Sequence, residues 1–222
     1  VRILATSDIH MGDGGPRDDF AKRRGEFLMS LPDPEPDDVV VLVGDILDGT
    51  RYDIAKCFSA NKAILAQLGG MRPWWVVGNH DEDLWSLKAH LTPLGFRLVD
   101  RMLLRQGEKI WYVCHGHEWD PANKKGSWSG KTVTSIANSI GKLWPKAEDW
   151  LAKQAQKLDS TGRYDQGTFA ATVDAFQRQF EGVHGVIAGH THVREDRTNA
   201  LGKRYVNTGT WPVHGWTTIE AW

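Results

Sequence analysis

Five short polar clusters each follow a run of apolar residues. They are Asp8-Ile9-His10, Gly44-Asp45-Ile46-Leu47-Asp48, Gly78-Asn79-His80-Asp81, His115-Gly116-His117 and Gly189-His190-Thr191-His192. In an open α/β sheet the carboxyl ends of the strands converge on one edge, so five such loops would deliver Asp, Asn and His side chains to a single crevice. The donors are imidazole nitrogens with carboxylate or amide oxygens, and no thiolate cluster accompanies them. That mixture suits an intermediate divalent metal such as Mn, Fe, Co, Ni or Zn. The glycines allow the tight turns that bring short side chains onto a common centre. One cluster of this kind would be an ordinary polar strand end; five of them after five strands are a site.

The elements that must carry these loops can be read from hydrophobic periodicity. Val1–Thr6, the aliphatic run Val39–Val43, Trp74–Val77 and Val186–Ala188 read as buried strands, each stopping at one of the clusters. Leu98–Leu104 and Lys109–Cys114 read as a strand pair joined across Gln106-Gly107, and the second runs into His115. Further strands are expected around Val193–Arg197, Lys203–Asn207 and Thr217–Ala221. Between them, Asp18 or Asp19 caps a helix running to about Ser30, and Asp53–Leu68 forms an amphipathic helix closed by Gly69-Gly70. A short helix follows at about Glu82–His90. Strands alternating with helices and then a strand-rich tail predict a layered α/β fold.

Residues from about 119 to 180 interrupt this pattern with helical stretches near Thr132–Ile140, Lys146–Leu158 and Thr168–Phe180. The first part of the insertion is basic: Trp119–Gly167 holds 8 Lys and Arg against 5 Asp and Glu, together with Trp119, Trp128, Trp144 and Trp150. An insertion between two motif-bearing strands is expected to stand over or beside the site as a cap. Trp74 and Trp75 are expected to pack against helices, while Trp211 divides between packing and substrate contact.

With 222 residues, 41% hydrophobic and 25% charged, the chain suits one globular domain with an appended lobe. A formal charge of -1 does not favour nucleic acid as a general partner. No apolar run approaches the roughly 20 residues needed to span a bilayer. Two cysteines make a disulfide framework unexpected, and the chain opens on a strand instead of a leader-like segment, so the expected location is cytoplasmic. Neither cysteine is a nucleophile candidate: Cys57 lies on an apolar helical face and Cys114 at the end of a buried strand. Gly126–Lys131 is only a loose shadow of a nucleotide-binding loop.

In their order, D-x-H, G-D-x-x-D, G-N-H-D, H and G-H-x-H, these clusters resemble the calcineurin-like metallophosphoesterases over nearly the whole chain. The resemblance implies a four-layer α/β/β/α sandwich, here with a helical cap inserted, and a two-metal centre between the sheet ends. Asp8, His10 and His192 would bind one metal, Asn79, His115 and His190 the other, and Asp45 would bridge them. His80 would contact the scissile phosphate and protonate the leaving oxygen, Asp81 would orient His80, and Asp48 would support a ligand or its loop. Two divalent ions, Mn first and Fe, Zn, Co or Ni also compatible, would activate water to hydrolyse a phosphomonoester, phosphodiester or pyrophosphate. His117, Lys124, Lys125, Trp128 and Trp211 are the candidates for substrate contact. The substrate expected is a phosphate-containing small molecule or lipid, the latter with peripheral membrane contact. His115–Asp120, Gly189–Arg194 and Tyr205–Trp211 also resemble a capped subgroup that includes bacterial UDP-2,3-diacylglucosamine pyrophosphohydrolase, although that enzyme carries Arg where this chain has His80. A scaffold that keeps the fold without hydrolysis is the contrasting alternative; such proteins usually lose ligands, and all seven candidates are present here.

Overall fold

A computed structural model describes residues 1–119 and 166–220 of the chain. Residues 1–116 and 182–222 form one compact unit, and residues 117–181 a second.

The first unit is built on two five-stranded sheets. One contains β1 (Ile3–Thr6), β2 (Val39–Val43), β3 (Trp74–Val76), β4 (Arg97–Val99) and β10 (Thr217–Ile219), in the order β10-β1-β2-β3-β4. The other contains β5 (Arg101–Gln106), β6 (Lys109–Cys114), β7 (Gly185–Ala188), β8 (Arg194–Thr198) and β9 (Arg204–Thr208), in the order β5-β6-β7-β9-β8. The strands β1 to β4 run parallel, as do β6, β7 and β9, while β10, β5 and β8 are antiparallel to their neighbours. Thr6 lies opposite Leu42, Val43 opposite Val76, and Ala188 opposite Asn207. The carboxyl ends of the parallel strands are therefore level within each sheet, and the polar clusters leave from one edge.

Alternation along the strands divides the apolar residues between two cores. Ile3, Ala5, Val41, Val43 and Val76 face Trp111, Val113, Ile187 and Val206 of the other sheet. Leu42 and Trp75 point the other way, into a core completed by α2 (Ile54–Ala60) and α3 (Lys62–Gly70) through Cys57, Ile64, Leu65 and Leu68. α1 (Arg24–Met29) adds Phe27 to the same core. The mixed α/β sandwich, central sheets flanked by helices, is thus the observed architecture. In the second unit, α5 (Gln166–Gln179) brings Phe176 to 5.4 Å from the ring of Trp119. Among the described residues no helix is long and apolar enough to cross a membrane.

Several boundaries differ from the sequence expectation, each for a local reason. The single strand expected over Leu98–Leu104 is two strands, β4 and β5, in different sheets, with the chain changing sheet at Asp100. The helix expected over Asp53–Leu68 breaks at Asn61, which is buried because its amide donates to the carbonyls of Gly12 and Cys57 at 2.8 and 2.9 Å. Gly69 and Gly70 lie inside α3 instead of closing it. The first helix opens as a 3₁₀ turn at Phe20–Arg23, where Asp18 Oδ1 accepts from the backbone N–H of Ala21. The helix expected at Glu82–His90 is a 3₁₀ helix at Glu82–Leu87 followed by α4 (Lys88–Leu91). Trp75 packs against helices as expected, but Trp74, one residue away, packs on the opposite face with the inter-sheet core. The helices expected near Thr132–Ile140 and Lys146–Leu158 lie outside the described residues.

Candidate metal centre

The loop after β1 runs beside the loop after β2. Asp8 donates its N–H to Gly44 O, Ile9 and His10 donate theirs to Asp45 O, and Met11 to Ile46 O, all within 2.9–3.0 Å. To do this while turning side chains inward, the backbone adopts left-handed conformations at non-glycine residues. Positive φ occurs at Asp8 (51°), His10 (52°), Asp45 (54°), His190 (69°) and His192 (60°), five of the six such residues described. Strained positions of this kind cost of order 1–3 kcal/mol each and persist where the surroundings over-determine them, often at functional sites. Gly44 has φ 85°, and a Cβ there would collide with the His115 ring, so glycine is required on both counts. Gly78 is required for space alone: a Cβ would strike the Asp45 carboxylate.

These loops gather two separate clusters, and a third group, His10, Asp48 and His80, shares His10 with the first. Asp8, His10 and His192 bring ligand atoms within 4.8 Å of one another, and so do Asp45, His115 and His190. In the first, Asp8 Oδ1 lies 3.2 Å from His192 Nε2 and 4.0 Å from His10 Nε2, with the two imidazole Nε2 atoms 3.3 Å apart. The other oxygen, Asp8 Oδ2, accepts from Ser7 Oγ and from the N–H of His190. In the second, Asp45 Oδ1 accepts from the N–H of His80 at 2.9 Å, and Oδ2 lies 3.2 Å from His115 Nε2.

The protonation chemistry of the second cluster favours a cation. His115 Nδ1 is 2.8 Å from the Val43 carbonyl, which can only accept, so Nδ1 carries the proton. In the neutral ring Nε2 then presents a lone pair toward a carboxylate oxygen, and two acceptors at 3.2 Å repel unless positive charge lies between them. In the protein alone a second proton supplies it: burial opposes the charged ring, but the Asp45 carboxylate outweighs this and raises His115 to about 10. Burial lowers His10, while hydrogen bonding to Asp8 raises His192. Asn79 Oδ1 is also buried and accepts no hydrogen bond, a costly state for an amide oxygen with nothing to coordinate. Carboxylate, imidazole and an orphaned amide oxygen together fit divalent metal ions.

His80 stands at the mouth of this arrangement, with its ring centroid 4.7 Å from that of His10 and Nε2 4.0 Å from Asp45 Oδ2. Its orientation corrects the sequence expectation. The carboxylate on its Nδ1 is Asp48, at 2.9 Å, and not Asp81. Asp81 is fully buried beneath the loop, accepting from the N–H groups of Ile46 (2.9 Å) and Gly78 (2.5 Å) and from Trp75 Nε1 (3.1 Å). Burial and the nearby Asp45 carboxylate push Asp81 upward, against the N–H groups of Ile46 and Gly78. Asp81 therefore fixes the loop carrying Asn79 and His80, whereas Asp48 orients the His80 ring. Thr50 is a member that the motif spacing does not single out: its hydroxyl donates to Asp48 Oδ1 at 3.0 Å and lies 2.6 Å from His80 Nδ1.

The Tyr205–Trp211 segment, at the end of β9 and just beyond it, supplies a second set of supporting residues. Asn207 Nδ2 donates to Gly189 O at 2.7 Å and to Thr191 Oγ1 at 3.1 Å, tying down the loop that bears His190 and His192. Thr208 Oγ1 lies 2.6 Å from Ser7 Oγ, and Thr210 Oγ1 donates to Asp8 O at 2.8 Å. The Y-V-N-T-G-T-W segment thus braces the two loops of the first cluster. Trp211, at its end, is 5% exposed and packs on Phe20 and Phe27 at ring distances of 6.2 and 4.9 Å. Of the other candidates for substrate contact, Lys124, Lys125 and Trp128 lie outside the described residues. His117 belongs to the second unit, where Nδ1 is 3.6 Å from Glu118 Oε2. Cys57 and Cys114 are free and buried, and burial pushes the Cys57 thiol up to about 12, so neither offers a ready nucleophile.

The calcineurin-like phosphoesterase family model matches residues 1–194, which include every ligand candidate. The chain belongs to this family. Among solved structures, phosphopantetheinyl hydrolase (PptH) from Mycobacterium tuberculosis shares the fold at 14% identity and TM-score 0.50, covering 98% of this chain and 95% of that one. A novel archaeal phosphodiesterase is similar at 13% identity and TM-score 0.48, with 99% of each chain covered. A single mutant of Vps29 from Entamoeba histolytica is similar at 16% identity and TM-score 0.47, covering 100% of this chain and 86% of that one. A comparison with curated proteins gives no match. Beside the candidate ligand clusters of this calcineurin-like phosphoesterase, the His80 imidazole is held by Asp48 and Thr50.

Proposed function

We propose that this calcineurin-like phosphoesterase hydrolyses a phosphomonoester, phosphodiester or pyrophosphate in dependence on two divalent metal ions. The observation that carries this reading is the gathering of two Asp/His clusters, and it is supported by the buried, unsatisfied Asn79 Oδ1 in the loop whose His80 N–H meets Asp45. Asp8, His10 and His192 would hold one ion, Asn79, His115 and His190 the other, and Asp45, next to both clusters, would serve both. When bound, such a pair makes a nucleophile available from water near neutral pH and neutralises phosphoryl oxygens.

The chain's own residues do the rest. Asp48 and Thr50 hold His80 by Nδ1, leaving Nε2 as the atom that faces the centre and can donate a proton to the departing oxygen. Burial pushes His80 down, but the Asp48 and Asp45 carboxylates raise it overall, which favours the protonated ring. Asp81 holds the loop beneath, so His80 and Asn79 keep their places as charge moves. A full ligand set with an oriented histidine argues for catalysis over a scaffold role. We assign Mn as the first ion to test, the helical insertion at about residues 119–180 as the substrate-selecting cap, and the cytoplasm as the location. The narrower reading, the capped subgroup that includes UDP-2,3-diacylglucosamine pyrophosphohydrolase, is supported by the motif segments alone and by none of the relatives above.

The test is hydrolysis by metal-free protein reloaded with Mn, using a phosphomonoester and a phosphodiester with the same p-nitrophenyl leaving group and Asp45→Asn as control. Metal-dependent turnover that the control abolishes is expected. Full metal occupancy without turnover on either ester, or on a pyrophosphate diester, would refute the reading in favour of a scaffold.

A further inference from the structure

A cavity of about 190 Å³ opens beside the centre, reaching from His10 and Asp48 to the 3₁₀ turn at Phe20–Arg23 and to Trp211-Pro212. It is smaller than the roughly 300–1,000 Å³ sites that enclose drug-sized ligands, so it suits one ring system. Its walls are largely apolar, with Ile9, Phe20, Tyr52 and Trp211 among them, yet two guanidinium groups also line it.

The two arginines differ in how far they are committed. Arg23 is fixed as a plane: it lies 5.3 Å from the Trp211 ring centroid, donates to Pro212 O at 2.7 Å, and pairs with Glu26 at 2.7 Å. Arg51 comes no closer than 3.8 Å to its carboxylate neighbour Asp48 Oδ2, and its side chain is 67% exposed. The acids in the lining are already engaged. Asp18 accepts from the N–H groups of Gly14 and Ala21, Asp19 pairs with Lys22 at 2.8 Å, and Asp48 holds His80. His10 and Asp48 form with His80 a group that could hold a cation at the end of the cavity next to the centre, whereas Asp18 and Asp19, farther along the lining, are held by partners of their own. Apolar walls with an uncommitted planar guanidinium at the rim match a flat aromatic group, which both packs against the walls and stacks under Arg51.

We infer that this cavity is a specificity pocket for an aromatic ring, a nucleobase or aryl group, carried by the phosphoester, with Arg51 as the stacking residue. The inference rests on the phosphoesterase reading, since it places the substrate phosphate at the metal centre. It sets the substrate class apart from alkyl and acyl phosphates.

The experiment is equilibrium binding, by calorimetry on the Mn-loaded protein, of inorganic phosphate and of phenyl-, cyclohexyl- and methylphosphonate. None of these requires turnover. Phenylphosphonate should bind about threefold or more tightly than cyclohexylphosphonate, a ring of similar size without a π face. In Arg51→Ala that preference should fall to about one, and Arg51→Lys, which restores charge without the plane, should not recover it. If phosphate binds but phenyl and cyclohexyl are equal, or if the preference survives Arg51→Ala, the pocket assignment is wrong while the phosphoesterase reading stands. If no phosphorus ligand binds at all, both are wrong.

Discussion

Replacing Asp48 by Asn is the sharpest test of how His80 is held, because Asp81→Asn makes the opposite prediction available in the same experiment. Asp48 is 1% exposed and its Oδ1 lies 2.9 Å from His80 Nδ1. A hydrogen bond to a charged group contributes about 1.5–3 kcal/mol. At about 1.36 kcal/mol per tenfold in rate, Asp48→Asn should lower kcat by about 10- to 150-fold. Thr50, 2.6 Å from the same nitrogen, still restrains the ring and favours the lower part of that range. The loss should be largest for an ester with a poor alkyl leaving group and smallest for p-nitrophenyl esters, whose oxygen needs little protonation. Without its anionic partner His80 loses a contribution that raises it, so the basic limb of kcat should move to lower pH. Metal stoichiometry should not change. Asp81→Asn places an NH₂ among three N–H donors and should instead lower thermal stability, by about 1–3 kcal/mol for the unmet donors, without altering leaving-group dependence. Steady-state kinetics on both leaving groups, with melting curves alongside, decide the matter. Wild-type kinetics in Asp48→Asn, with a leaving-group-dependent loss in Asp81→Asn, would refute the assignment.

Asp45→Asn should bind fewer Mn ions by elemental analysis and lose most of the Mn-dependent rise in Tm. For wild type at a hundredfold excess over Kd the stabilisation is about 2.7 kcal/mol, or about 5–10 °C in Tm for a chain of this size. Trp211→Ala should destabilise by about 3–5 kcal/mol, read by denaturant unfolding, because it empties the space between Phe20 and Phe27; an unchanged midpoint would contradict its place in the core. The bidentate Arg2–Asp38 pair holds the Asp38 carboxyl at about 2, below its ordinary value near 3.9. Its contribution is present above that ordinary value and lost as pH falls toward 2, so the Tm difference between wild type and Asp38→Asn should be seen at about pH 6 and vanish in acid.

Much of the centre is legible in the order of residues alone. Asp8, His10, Asp45, His115, His190 and His192, the residues that cluster, each belong to a loop that follows an apolar run, and the ends of parallel strands have nowhere to go but one edge. Val39–Val43 is a strand by composition, since five aliphatic residues in a row have no polar face to show solvent. What depends on contacts between distant residues is not legible. Asn61 breaks a helix whose periodicity continues through it, because its amide is needed by Gly12, 49 residues earlier. Leu98–Leu104 reads as one continuous strand, yet the chain changes sheet at Asp100, since strand propensity does not say which neighbour a strand will find. Asp81 sits beside His80 in sequence and is its natural partner on that ground. In the fold its carboxylate points down to Trp75, and Asp48, 32 residues away, reaches the ring. Sequence determined which donors meet, because strand ends dictate it; only the tertiary structure decided which way each side chain faces, because that is set by hydrogen bonds between loops.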